Sequence, residues 1–205
     1  MKRIFKSDNV ATVKGHPNEL LYISTHKQGV NITCSWASIH EHLTKMVDVI
    51  QQDMPDFGYH PDDYIVALPR GGLPISVTFS HVFHHVKVLT IEEFTESATT
   101  HRRKFNQVLL VDEISDSGTT MRNAVNHIMH ILSDISVWST NRVPTLKTAA
   151  LCIRADTQYV PNFYRIVILS DAWVIFPWEV LNPAIKKTWF QRILELFNLG
   201  DKVII

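Results

Sequence analysis

Between Val108 and Thr120 the chain reads VLLVDEISDSGTT. Four apolar residues, Val108–Val111, lead into two adjacent carboxylates, Asp112 and Glu113. Asp116-Ser117-Gly118-Thr119-Thr120 then stands at the head of a helical pattern. A loop of small residues lets successive backbone N–H groups converge on an anion. The helix that follows adds its unpaired amino-terminal donors and the positive end of its dipole. Ser117, Thr119 and Thr120 can add hydroxyl donors, and Gly118 permits positive φ or a close backbone approach. This is a phosphate cradle. Two carboxylates beside it are not expected for phosphate alone. They suit vicinal hydroxyls, or a cation that carries phosphate oxygens, so a phosphorylated sugar satisfies both halves. A plain strand–turn–helix would need only Asp116 or Ser117 as a cap and would leave the carboxylate pair unexplained.

Three other stretches invite chemistry. At Arg70-Gly71-Gly72 an apolar run again ends in a turn before a helix, with two glycines freeing backbone N–H groups and Arg70 supplying charge. A tight glycine turn beside a surface arginine would look the same. Glu92–Asn106 is polar, contains Arg102, Arg103 and Lys104, and reads as an exposed loop. Asp171–Glu179 is DAWVIFPWE, an apolar run between two tryptophans that taken alone suits a core equally well. His81, His84 and His85, and likewise His127 and His130, have spacings that can pair on a metal. Neither set has a carboxylate or further ligand near it in sequence, so both read as surface or core histidines.

The segment 108–120 resembles the signature with which type I phosphoribosyltransferases bind phosphoribosyl pyrophosphate (PRPP): a hydrophobic strand, two acidic residues, then Asp-(Ser/Thr)-Gly-x-Thr. Arg70-Gly71-Gly72, about 40 residues earlier, is similar to that family's pyrophosphate loop. Trp173–Glu179 is similar to the Trp-(Ile/Val)-x-x-Pro-Trp-(Asp/Glu) segment of xanthine–guanine enzymes. The resemblance spans about residues 35–179. It implies that Asp112 and Glu113 bind ribose hydroxyls and that Ser117, Gly118, Thr119 and Thr120 bind the 5′-phosphate. It makes Asp116 the group that exchanges the purine proton, and Arg70 and Gly71 the pyrophosphate site. It implies stacking of the purine on Trp173, reading of its edge by the Val174 backbone, and magnesium near Asp112 and Glu179. Arg154 falls where the family has a lysine that contacts the exocyclic oxygen; an arginine fork is a different donor from a lysine point charge. Within 92–106 the resemblance implies a mobile loop closing over PRPP, with Arg102, Arg103 and Lys104 toward pyrophosphate, although the family's Ser-Tyr pair is missing. It also implies a non-proline cis peptide at Arg70–Gly71, and a packing role for Trp36.

The elements that must hold these residues can be read from periodicity. Leu20–Ser24 and Val30–Thr33 are strand-like and could form a hairpin. Ile39, Leu43, Met46, Val47 and Ile50 share a helix face, with Ser35 or Ser38 as cap. Short apolar runs at 64–68, 86–91, 108–111, 148–153 and 166–169 alternate with helical stretches at about 74–83 and 119–132. That alternation predicts βαβ units and a twisted, mainly parallel α/β sheet flanked by helices. A small hood is expected from the amino-terminal region and about 154–185, all within one domain over 1–205. Trp189–Leu199 has apolar residues at helical spacing.

Lysine plus arginine and aspartate plus glutamate each number 20, giving zero formal charge. That disfavours a broad electrostatic grip on nucleic acid or an anionic membrane. The two cysteines form no CxxC, the start is too polar for a signal peptide, and no apolar run suits a bilayer span. A cytoplasmic homo-oligomer is expected. The reaction expected is transfer of 5-phosphoribosyl from PRPP to a 6-oxopurine (xanthine, guanine or hypoxanthine), giving a nucleoside monophosphate and pyrophosphate. Alternatives are a nucleotide-sensing regulator on the same fold, and an enzyme for another nucleobase.

Overall fold

Tyr64-Ile65-Val66-Ala67 contains no charged residue, and all four residues are buried. A strand covered on both faces belongs inside a parallel sheet between two helical layers. The computed structural model has that architecture; it describes residues 3–5, 10–13, 20–23, 31–101, 103–139, 144–169, 171–179 and 202–204. The elements are β1 (Arg3–Phe5), β2 (Val10–Val13), β3 (Leu21–Ile23), β4 (Asn31–Thr33), α1 (Trp36–Asp53), β5 (Tyr64–Ala67), α2 (Gly72–Val82), β6 (Lys87–Thr90) and α3 (Ile91–Thr99). Then come β7 (Gln107–Ser115), α4 (Thr119–Ser139), β8 (Thr145–Arg154), β9 (Ile166–Ile168), β10 (Val174–Ile175), a 3-10 turn at Pro177–Glu179, and β11 (Lys202–Ile204).

The main sheet has the order β1-β2-β3-β9-β8-β7-β5-β6. From β3 to β6 all neighbours are parallel, and β1 and β2 add an antiparallel edge. Alternation along the strands splits the core in two. Ile65, Leu109 and Val111 pack with Ile39, Ile50, Ile75 and Phe79 of α1 and α2. Val66, Val108 and Leu110 pack with Phe94, Met121 and Ile128 of α3 and α4. A small second sheet, β10-β4-β11, forms the hood from segments distant in sequence. Cys34 and Cys152 are both buried free thiols, and burial pushes the Cys152 thiol well above its ordinary range. Among the described residues, no helix is long and apolar enough to cross a membrane.

Two expectations about the secondary-structure elements fail. The strands around 21 and 31 do not pair as a hairpin: β3 lies in the main sheet and β4 in the hood. More consequentially, Glu92–Asn106 is not an exposed loop. Its first half forms α3, started by a capping box in which Glu93 N donates to Thr90 Oγ1 and Thr90 N donates to Glu93 Oε2. Phe94 and Ala98, one turn apart, are buried against α4 and the sheet. The Thr-x-x-Glu cap and the Phe/Ala spacing were visible in sequence, but the surrounding polar residues obscured them. Trp189–Leu199 lies outside the described residues.

Candidate functional site

β5 and β7 are neighbours, with Ala67 opposite Val111. The crossover from β5 leads to β6 on one side, and that from β7 leads to β8 on the other. Such a reversal opens a crevice at the carboxyl ends of the strands, where α/β sheets bind ligands. The two glycine-containing turns meet there. Leu68 N donates to the Val111 carbonyl at 2.9 Å. A Cβ on Gly71 would overlap the Glu113 carboxylate, and one on Gly72 would overlap the Val111 carbonyl. Gly72 is therefore demanded by close backbone approach, Gly71 lies against the carboxylate end of the Glu113 side chain, and Arg70 stands exposed at the lip. The cis peptide is Pro69–Arg70, one bond earlier than the Arg70–Gly71 position expected from the sequence.

β7 does not stop before the acidic pair. It continues through Asp112 and Glu113 to Ser115, which holds both carboxylates on a rigid strand beside the turn after β5. Glu113 N donates to Asp112 Oδ1 at 2.9 Å. Burial, then a hydrogen bond to Glu113 and the charge of that carboxylate, push the Asp112 carboxyl up to about 9. A carboxyl raised in this way can donate to an oxygen as well as accept from a hydroxyl.

After β7 the loop turns sharply at Gly118, whose φ is +79°. A Cβ there would overlap Tyr159 N. Ser117 Oγ donates to Thr119 Oγ1 at 3.1 Å and accepts from Thr119 N at 3.3 Å, fixing the loop as α4 begins. Thr119 and Thr120 are exposed on the first turn of that helix. The cradle is held from behind by the segment after β8: Gln158 N donates to the Ser117 carbonyl, Ser115 Oγ to the Tyr159 carbonyl, and Arg122 Nη2 to Gln158 Oε1.

Arg154, the last residue of β8, donates from Nε to Asp116 Oδ1 at 2.6 Å and from Nη2 to the Ala172 carbonyl at 3.0 Å. It ties the β7 loop to the start of the hood. Trp173 is 59% exposed, whereas Val174 is buried in β10 opposite Ile32. Trp36, itself 61% exposed, contacts Trp178 at 5.7 Å between ring centroids, and Trp178 stacks on Phe176. Glu179 Oε2 accepts from Phe176 N and closes its own turn. Among the described residues, no three His, Cys, Asp or Glu side chains gather as a metal-binding group. His81, His84, His85, His127 and His130 are exposed.

Arg103 and Lys104 are not at this crevice. Arg103 N donates to the Ser97 carbonyl, and Asn106, just beyond Lys104, bonds to Asp62 ahead of β5 and to Thr145, the first residue of β8. The length of β7, nine residues, places them roughly 25 Å from Asp116. They cannot meet a pyrophosphate at the carboxyl edge; Arg102 lies outside the described residues. The sequence reading also missed Asp156, Gln158 and Asp171, which line the cavity beside Asp116. The usable signal was positional, since Asp156 and Gln158 follow the carboxyl end of a parallel strand.

No protein-family model and no curated protein matches this chain. Solved structures do. A xanthine–guanine–hypoxanthine phosphoribosyltransferase from Helicobacter pylori aligns at TM-score 0.58 and 17% identity over 75% of this chain and 95% of its own. A purine phosphoribosyltransferase from Pyrococcus horikoshii Ot3 aligns at 0.52 and 18%, covering 72% and 93%. A hypothetical protein from Neisseria gonorrhoeae with bound ppGpp aligns at 0.51 and 17%, covering 77% and 93%. The chain has the type I phosphoribosyltransferase fold.

Proposed function

We propose that the chain is a purine phosphoribosyltransferase. The observation that carries this reading is the abutment of the Arg70-Gly71-Gly72 turn on the Asp112–Thr120 segment, with Gly71 against Glu113. One turn offers cation and backbone donors, the other a ribose-type carboxylate pair and a phosphate cradle, and they share one crevice. In this reading Ser117–Thr120 hold the 5′-phosphate, Asp112 and Glu113 the ribose hydroxyls, and Arg70 with Gly71 the pyrophosphate. The bond from C1′ to pyrophosphate breaks with its electrons leaving on oxygen, and the ring passes through an oxocarbenium-like state. A purine nitrogen forms the new bond to C1′, and its proton passes to Asp116. Trp173 offers an exposed ring face for the base, and Val174 a backbone beside it.

The carboxylates present, Asp112 and Glu179, are oxygen donors without a closed cage. They fit magnesium arriving on substrate phosphates better than a resident ion. When bound, magnesium would neutralise charge on the leaving group.

A second reading is favoured by α3. Where the resemblance implies a mobile closing loop, this chain docks a helix, and one structural neighbour is the hypothetical protein with bound ppGpp. A nucleotide-binding regulator would need the cradle and not the closure. Incubation with PRPP, magnesium and each of guanine, xanthine, hypoxanthine, adenine, uracil and orotate separates the two. The enzyme releases pyrophosphate with at least one purine. Tight nucleotide binding without turnover on any base would replace the enzyme by the regulator, and turnover on a pyrimidine alone would move the activity to another nucleobase.

A further inference from the structure

Beside the cradle lies a cavity of about 350 Å³ lined by Asp116, Ser117, Arg154, Asp156, Gln158 and Asp171. Three aspartates and one arginine line it, and the arginine's guanidinium is already engaged. Its Nε is held by Asp116 and its Nη2 by the Ala172 carbonyl, and the side chain is only 14% exposed. Asp116 has its counter-charge. Asp156 and Asp171 do not: among the described residues, neither lies within ion-pair distance of a lysine or arginine. The lining has a net charge of −2 with acceptors on the rim. An acceptor-rich wall recognises a donor-rich face.

We infer that this pocket, which rests on the purine reading as the base subsite, selects bases by the N–H donors they present. Asp156 and Asp171 are its specificity-determining residues. It favours a purine with an amino group beside a ring N–H, as in guanine, over the dioxo purine xanthine. A carboxylate can accept both N–H bonds of the amino-plus-ring pattern, and charge-assisted bonds are the stronger kind. Xanthine turns a carbonyl oxygen to the same place. It also sheds a ring proton near neutrality, so its oxygen and its charge both meet like charge. Arg154 does not rescue it. A guanidinium that bridges Asp116 and Ala172 is a positioning group for the loop and the hood, and turning it toward a second carbonyl would break one of those bonds.

The test is binding, which separates selectivity from turnover. GMP and XMP are titrated into the full chain and followed by calorimetry and by tryptophan fluorescence, with PRPP as a third ligand. GMP is expected to bind at least about tenfold more tightly than XMP, the size of one favourable against one unfavourable charged contact at a partly exposed site. Asp156→Asn with Asp171→Asn should raise XMP affinity roughly tenfold and narrow the gap. Both positions are exposed, so the double variant should keep the wild-type melting temperature, and Asp156→Asn alone is the fallback if it does not. Equal affinities in the wild type, or a preference the variants leave unmoved, would overturn the inference while GMP and PRPP binding upheld the purine site. Binding of PRPP but neither nucleotide would overturn the base subsite, and no binding of any of the three would overturn the purine reading along with it.

Discussion

Two aspartates mark the two ends of the sheet. Asp63, before β5, is 1% exposed, and its carboxylate accepts from Gly58 N, His60 N, Asn106 Nδ2 and Gln107 N. Asp116, after β7, is 57% exposed and meets Arg154 at the edge of a cavity. The first is saturated by donors from its own and neighbouring loops, and it clamps the amino ends of β5 and β7. The second keeps carboxylate surface open to a ligand. Equal chemistry thus becomes structural or, in the proposed reading, functional according to how many bonds the fold has already made to it.

Asp116→Asn tests the functional end hardest. It should lower kcat by about a thousandfold, within the range for loss of a general base, with the fold retained because Asn Oδ1 can still accept from Arg154 Nε. A variant with wild-type kcat would remove Asp116 from proton transfer. Asp63→Ala should do the reverse: unfolding in urea is expected to show a loss of about 3 kcal/mol, because four donors are left without their acceptor. The folded fraction should retain its ligand affinity, and a stability within error of wild type would deny the clamp. Gly118→Ala lies between the two. Positive φ together with overlap on Tyr159 N should cost about 1–3 kcal/mol and weaken PRPP binding, because the cradle and its backing loop must separate. Unaltered PRPP affinity would place the phosphate elsewhere.

At neutral pH the smallest effect is expected at His42 on α1, far from either aspartate in role. Burial pushes its imidazole down to about 4, opposed by Glu41 and assisted by Arg165 and Lys45. Its Nδ1 is buried without a hydrogen-bond partner. The unfolded chain therefore takes a proton near 6.5 that the folded chain refuses until about 4. Stability should be intact above 6.5 and decline as pH falls toward 4. His42→Leu should flatten that slope in urea titrations from pH 7 to pH 4, and an unchanged slope would assign the acid sensitivity to other groups.

The strands β5 to β9, helices α1, α2 and α4, and the cap at Ser35 were legible because each rests on local periodicity or a short motif. The proposed phosphate cradle was legible for the same reason: Asp116–Thr120 is contiguous, and a contiguous loop ahead of a helix carries its own geometry. Short edge and hood strands were harder. β10 has two residues, and β4 joins it only through residues more than 140 positions away. α3 was missed although its capping box is written in Thr90 and Glu93, since burial of Phe94 depends on a groove that α4 supplies.

Sequence alone could suggest the donor half of the proposed chemistry, because the strand, two carboxylates and glycine turn that suit a phosphorylated ribose are neighbouring residues. It could not show that Gly71 lies against Glu113, that Arg154 is engaged by Asp116 and Ala172, or that Asp156 and Asp171 rim the same cavity. Nor could it show that Arg103 and Lys104 sit at the wrong end of β7. Those relations join residues that are far apart along the chain, or separate residues by the length of a strand. Only strand order and register decide them, since a parallel sheet brings distant carboxyl ends together and holds the amino ends away.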